Sequence, residues 1–186
     1  MKGFEIILKI FLPSVLCTLF IYLFEVNLFY FPLIFGLVIG LINLKAHKLN
    51  ILFGVVLSIV ISCFVFLVSY FSLLIFGKIL GFLLELGNII SIILAAFFLS
   101  PVLAFTGYRY LFNFQKTKFS TIVMWVSILF LILYSYFMLI ESEFNSSDLS
   151  SFKLFNPFVM WQIIMAIAIQ LILYQKEIKN LFKPKK

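Results

Sequence analysis

The chain has 186 residues, of which 65% are hydrophobic, 19% aromatic and 11% charged, with a mean hydropathy of +1.22 and a net charge of +7. A soluble domain carries roughly 25% charged residues, so this composition leaves too little polar surface to face water. It excludes a soluble enzyme, a disordered tail and a disulfide scaffold, and predicts an all-α polytopic membrane protein: one integral membrane domain over 1–186, folded as a bundle of about six spans.

A helix crosses about 30 Å of hydrocarbon with roughly 17–25 residues. The candidate runs are 4–24, 28–44, 51–76, 86–108, 120–140 and 158–174. In the first, Lys2 and Lys9 flank apolar sequence as in a signal peptide, but no small-x-small cleavage site follows, so it reads as a mature helix. It contains Cys17, which with Cys63 in the third run completes the cysteine count; both read as small hydrophobes. The second run is near the minimum length and opens on Leu28-Phe29-Tyr30-Phe31-Pro32, which suits either a tight hairpin or a shallow re-entrant segment. Within it, Gly36 and Gly40 have the Gly-x-x-x-Gly spacing that admits a neighbouring helix backbone.

In the third run, Ser58, Ser62, Ser69 and Ser72 share one helical face. The fourth carries Ala96, Ser100 and Ala104 at small-residue spacing, with Pro101 expected to kink the helix. On the sixth, Gln162, Ala166 and Gln170 form a similar stripe. Between the fifth and sixth runs lies the longest connection, 141–157, whose Ser, Asn and Asp residues favour turns. Its Phe144, Phe152 and Phe155 suit a loop resting on the membrane surface.

Basic residues set the orientation. With the N-terminus in the cytoplasm, Lys2, Lys9, Lys45, Lys48, Arg109, Lys116, Lys118, Lys176, Lys179, Lys183, Lys185 and Lys186 fall inside, which is 12 of 14, leaving Lys78 and Lys153 outside. Five of the seven acidic residues sort outward. Both termini are therefore expected in the cytoplasm, in a cell (inner) membrane or the inner membrane of an organelle. Lys78 and Glu85, seven apart around an outer turn, could pair.

No catalytic set is visible. His47 is the only histidine and has no Cys, Asp or Glu at ligand spacing; no phosphate-binding glycine loop or nucleophile elbow occurs. The expectation is a protein that is not an enzyme and carries neither metal nor cofactor. The Ser and Gln stripes admit two readings. One is interhelical hydrogen bonding, worth about 0.6 kcal/mol per contact. The other is a polar path through Ser58, Ser62, Ser69, Ser72, Gln162 and Gln170, although no charged side chain stands at mid-depth to serve an ion.

The function expected is a sensor, anchor or scaffold subunit that works with an acidic cytoplasmic protein. Contact with that partner or with lipid is assigned to Lys45, Lys48, Arg109, Lys116, Lys118, Lys179, Lys183, Lys185 and Lys186. The alternative is a small-molecule transporter or ion-channel subunit using the Ser/Gln path. The bilayer and a homo-oligomer or larger complex are the other partners expected, and nucleic acid is not. With 26 Phe, 26 Ile and six Ala, residue usage leans to AT-rich codons, as in an accessory defence or immunity gene.

Overall fold

The computed structural model describes residues 2–23, 27–141 and 156–181. These residues are all-α: α1 (Lys2–Leu23), α2 (Phe31–Ile42), α3 (Ile51–Leu80), α4 (Leu84–Ile92), a π-helical segment (Ile93–Leu99), α5 (Ser100–Leu111), α6 (Lys118–Glu141), α7 (Pro157–Leu173) and the short α8 (Gln175–Leu181). Single 3-10 turns precede and follow α2, and a third joins α3 to α4.

The chemistry of the bundle is reversed relative to a soluble protein. Large apolar side chains point outward along α1, α3 and α6, among them Phe4 on α1, Phe64 and Ile75 on α3, and Val126 and Phe130 on α6. Hydroxyl and amide side chains lie inside: Ser58, Ser62, Ser135, Gln162 and Gln170 are all buried. An apolar exterior of this extent suits lipid, where polar groups must be satisfied within the protein.

Among the described residues, three stretches are long and apolar enough to cross a membrane: Gly3–Leu23, Ile51–Leu111 and Lys118–Leu139. The 61-residue stretch is a hairpin. It turns at Gly81–Leu83 and at Leu84, whose φ of 55° is the sole positive value among the described non-glycine residues. Gly87 then sits against the Leu80 backbone and Gly107 against Ile61, so the return strand of helix runs antiparallel along α3. A further span forms if α7 and α8, bent by 70°, count together. α2 has 12 residues, a length of about 18 Å at 1.5 Å per residue, which is short of about 30 Å of hydrocarbon. Of the six expected runs, the second is therefore the one that falls furthest short, while α7, with 17 residues, reaches the required length only together with α8.

Helix ends follow from local sequence. Asn156 caps α7 by accepting from Phe158 N–H at 2.9 Å, with Pro157 where a missing N–H costs nothing. Thr117 and Ser120 cap α6 reciprocally: each hydroxyl oxygen accepts the other's backbone N–H at 3.1 Å.

Pro101 acts on the turn before it. Lacking an N–H, it cannot bond the carbonyl four residues back. The helix widens instead, and Ser100 N–H donates to Ala95 O, five residues earlier. That extra residue shifts the register of the small-residue stripe. Ala95, Ser100 and Ala104 are buried, whereas Ala96 is half-buried beside them.

Packing brings the chain's turns to two ends. Lys9 near the start of α1 meets Glu177 of α8. Thr117, preceding α6, meets Gln175 at the start of α8. The loop after α2 meets the end of α5. The starts of α1, α3 and α6 thus share an end with the exits of α2, α5 and α7. The opposite end holds the α3–α4 turn and the starts of α2 and α7, where Ile21, Phe31 and Val159 form a small apolar cluster.

Candidate functional site

At the first end, two loops lock together. Lys48 N–H donates to Leu111 O at 3.1 Å, Asn113 N–H to Ala46 O at 3.2 Å, and Lys48 Nζ to Arg109 O at 2.8 Å. His47 is the plug beneath them. Its Nε2–H donates to Gly40 O at 3.0 Å and its ring lies 4.8 Å from that of Phe112. Gly54 makes the room: a Cβ there would fall 2.5 Å from His47 Nδ1. The histidine's role in this fold is thus structural support for a loop.

Charge at this end is one-sided. Lys9 lies 3.9 Å from Glu5 and 3.7 Å from Glu177, and over the Tyr174 ring at 5.3 Å. Both described carboxylates of the end are engaged by that one ammonium. Lys45, Lys48, Arg109, Lys116, Lys118, Lys176 and Lys179 are all exposed, with no ion pair among the described residues. Lys183, Lys185 and Lys186 lie outside the described residues.

Arg109 and Lys116 also border a cavity of about 230 Å³ between α5 and α6, together with Gln115, Ser120 and Thr121. At the other end, Lys78 and Glu85 are both exposed and unpaired with each other.

The core of the bundle is organised around Tyr108, which sequence reasoning did not single out. Its hydroxyl shares a 2.6 Å hydrogen bond with Ser62 Oγ and stands 3.3 Å from Ser58 Oγ, while Ser58 Oγ donates to Gly36 O at 2.8 Å. Gly36 makes this possible, since a Cβ there would fall 2.6 Å from Ile59 Cα. At Gly40 a Cβ would lie 3.1 Å from Val55 Cα. The two glycines therefore hold α2 against α3, and Ser58 and Ser62 join α2, α3 and α5.

Ser69 donates within its own helix to Val65 O, and Ser72 is half-buried further along. Gln170 is fully buried, with neither amide atom hydrogen-bonded. Of the six residues of the expected path, the structure joins Ser58 and Ser62 through Tyr108 and sets Ser62, Ser69 and Gln162 around one pocket, without Ser72 or Gln170.

A series of ring contacts passes through this node. Trp161 lies 5.3 Å from Phe35, Phe35 6.1 Å from Tyr108, and Tyr108 5.6 Å from Phe112, almost parallel to it at 6°. Phe112 then meets His47. The far end of the series borders a half-open pocket of about 140 Å³ lined by α2, α3, the π segment and α7. Phe35, Trp161 and Gln162 are in its wall, as are Ser62, Ser69 and Ser100.

Among the described residues, no three His, Cys, Asp or Glu side chains cluster as metal ligands would. Cys17 and Cys63 are free thiols, the first buried and the second half-buried. In comparison with protein-family models, with curated proteins and with solved structures, the chain matches none.

Proposed function

We propose that the protein is a non-enzymatic membrane anchor or sensor subunit whose basic end faces the cytoplasm and docks an acidic protein. The observation that carries this is the charge imbalance at that end: Lys9 engages both described carboxylates, leaving seven exposed cations on loops, on the adjoining ends of α5 and α6, and on α8. Helix orientation by the positive-inside rule supports a cytoplasmic setting for them, with both termini on that side. Anionic lipid accounts for part of such a surface, at about 1 kcal/mol per basic residue. The hydrogen-bonded loops add a preformed shape that lipid attraction alone does not require.

The polar interior supports this reading over transport. The Ser58 hydroxyl is committed to Gly36 O and the Ser62 hydroxyl to Tyr108, so both hold helices together. The direct experiment neutralises Lys179, Lys183, Lys185 and Lys186. Recruitment of the partner should be lost while membrane insertion is retained. Solute movement by the purified protein alone in liposomes would instead support a transporter.

A further inference from the structure

At the basic end the bundle has a gap in its side. α6 rests chiefly on α7 and the π segment and touches α5 only lightly. A half-open pocket of about 230 Å³ is left between α5 and α6. Thr106, Arg109 and Thr121 in its wall are exposed, so it opens on the outer surface of the bundle.

Polarity is graded along this pocket. Phe105, Met124 and Ile172 line it within the helices, whereas Arg109 stands near the end of α5 and Gln115 and Lys116 precede α6. The hydroxyls of the wall are already committed: Thr106 donates to Val102 O, and Ser120 and Thr121 both donate to Thr117 O. The donors left over are the Arg109 guanidinium, the Lys116 ammonium and the Gln115 carboxamide. None has an ion pair or side-chain hydrogen bond among the described residues. No acidic residue is present among those that line the pocket.

The loop that carries two of these donors is held in place. The buried Gln175 donates from Nε2 to Gln115 O at 3.3 Å, and Asn113 N–H donates to Ala46 O at 3.2 Å. A ligand therefore meets a loop that is already ordered, which lowers the cost of binding.

We propose that this pocket binds an anionic phospholipid of the adjoining leaflet. Its phosphate sits against Arg109, Lys116 and Gln115, where the planar guanidinium can donate two parallel hydrogen bonds to the phosphate oxygens. Its glycerol and first acyl carbons cover Phe105, Met124 and Ile172. A free phosphate would use the same donors but leave that apolar wall bare. A zwitterionic headgroup would bring an ammonium for which the wall offers no carboxylate. The site rests on the membrane setting proposed above but not on a docking partner, and it is tested with the purified protein alone.

The full-length protein in dodecyl maltoside micelles is titrated calorimetrically with dioctanoyl phosphatidylglycerol, dioctanoyl phosphatidylcholine and inorganic phosphate. Phosphatidylglycerol should saturate one site, and both other probes should bind more weakly. Arg109→Gln with Lys116→Gln should weaken it about 30-fold, the effect of two basic residues at a membrane surface. Lys45→Gln with Lys179→Gln removes the same charge from the same end, outside the pocket, and should leave binding within about twofold, since exposed charges beyond a Debye length are screened. Thr106→Phe, which fills the gap from an exposed position, should weaken binding although every charge remains.

Equal weakening by the two charge-matched pairs would show that only the general field attracts lipid and would overturn the proposal. Equal affinity for phosphatidylcholine would overturn it too, and inorganic phosphate binding as tightly as the lipid would overturn the lipid assignment. The comparison of the three probes on the unaltered protein decides even where a variant fails to fold. Loss of this site would leave recruitment of a protein partner untouched, and failure to find a partner would leave lipid binding untouched.

Discussion

Lys48 Nζ donates to the backbone carbonyl of Arg109 at 2.8 Å, across 61 residues of chain. The bond joins the loop after α2 to the last turn of α5, beside the carbonyl groups that a helix leaves unsatisfied at its C-terminus. Two cationic loops thereby become one surface. The bond uses the lysine's donor capacity without neutralising its charge, so Lys48 supports the loop and still contributes to the field of the basic end.

His47 should matter more to stability than either cation above it. His47→Ala removes the bond to Gly40 O and the contact with Phe112, a loss of about 2–4 kcal/mol from cavity and hydrogen bond together. Thermal unfolding in detergent should shift down accordingly, whereas Lys45→Gln should leave the midpoint unchanged. Equal midpoints for His47→Ala and the unaltered protein would contradict the buried placement.

Gly36→Leu and Gly40→Leu should separate α2 from α3. A side chain at Gly36 meets the Ile59 backbone, which cannot rotate away, and overpacking costs about 1–3 kcal/mol or more. Gly3→Leu, with open space around its Cβ position, is the matched control. Lowered detergent stability in the first two and none in the third is the expected pattern; identical melting in all three would count against the contact.

Tyr108→Phe keeps the ring contacts and removes the hydroxyl that faces Ser58 and Ser62. The expected loss is about 0.6–1.7 kcal/mol, the range for hydrogen bonds between membrane helices. Tyr108→Ala should cost about 3–5 kcal/mol because a buried ring goes with it. A double-mutant cycle of Tyr108→Phe with Ser62→Ala isolates the shared bond, and additive effects would deny it.

Orientation is open to single-cysteine labelling in a background lacking Cys17 and Cys63. Glu85 and Lys116 are exposed at opposite ends of the bundle. Cysteine at 85 should react with an impermeant reagent from outside the cell, and cysteine at 116 only after permeabilisation. Equal reaction at both positions would remove the cytoplasmic assignment of the basic end.

What the sequence displayed of this fold was its class and its stripes, and the reason is physical. Apolar runs of spanning length leave only the α-helix, because hydrogen bonds must close within the run. Gly36, Gly40, Ser58 and Ser62 then declare themselves by spacing alone. The π segment did not. Sequence periodicity assumes 3.6 residues per turn, and the extra residue before Pro101 moved Ala95 into the place expected for Ala96.

The pocket beside Trp161 was equally hidden. Its walls come from residues more than 60 positions apart, and Trp161 and Phe35 look like ordinary span residues until the rings meet. Tyr108 could have been noticed as a polar-tipped ring closing the fourth run, whose hydroxyl needs a partner if buried, and Ser58 with Ser62 offered one four residues apart. The long connection at 141–157, read as a turn-rich loop resting on the membrane surface, lies almost wholly outside the described residues.

The central claim, a basic end that docks an acidic cytoplasmic protein, is tested most directly by photo-crosslinking in living cells. A benzophenone amino acid at Asn113, an exposed position between the two loops, samples whatever rests on that surface. The account predicts a discrete protein adduct of acidic composition that disappears when Lys45, Lys48, Lys116 and Lys118 are changed to Gln, with the bundle still inserted. Adducts to lipid alone, or a protein adduct that survives neutralisation unchanged, would contradict it.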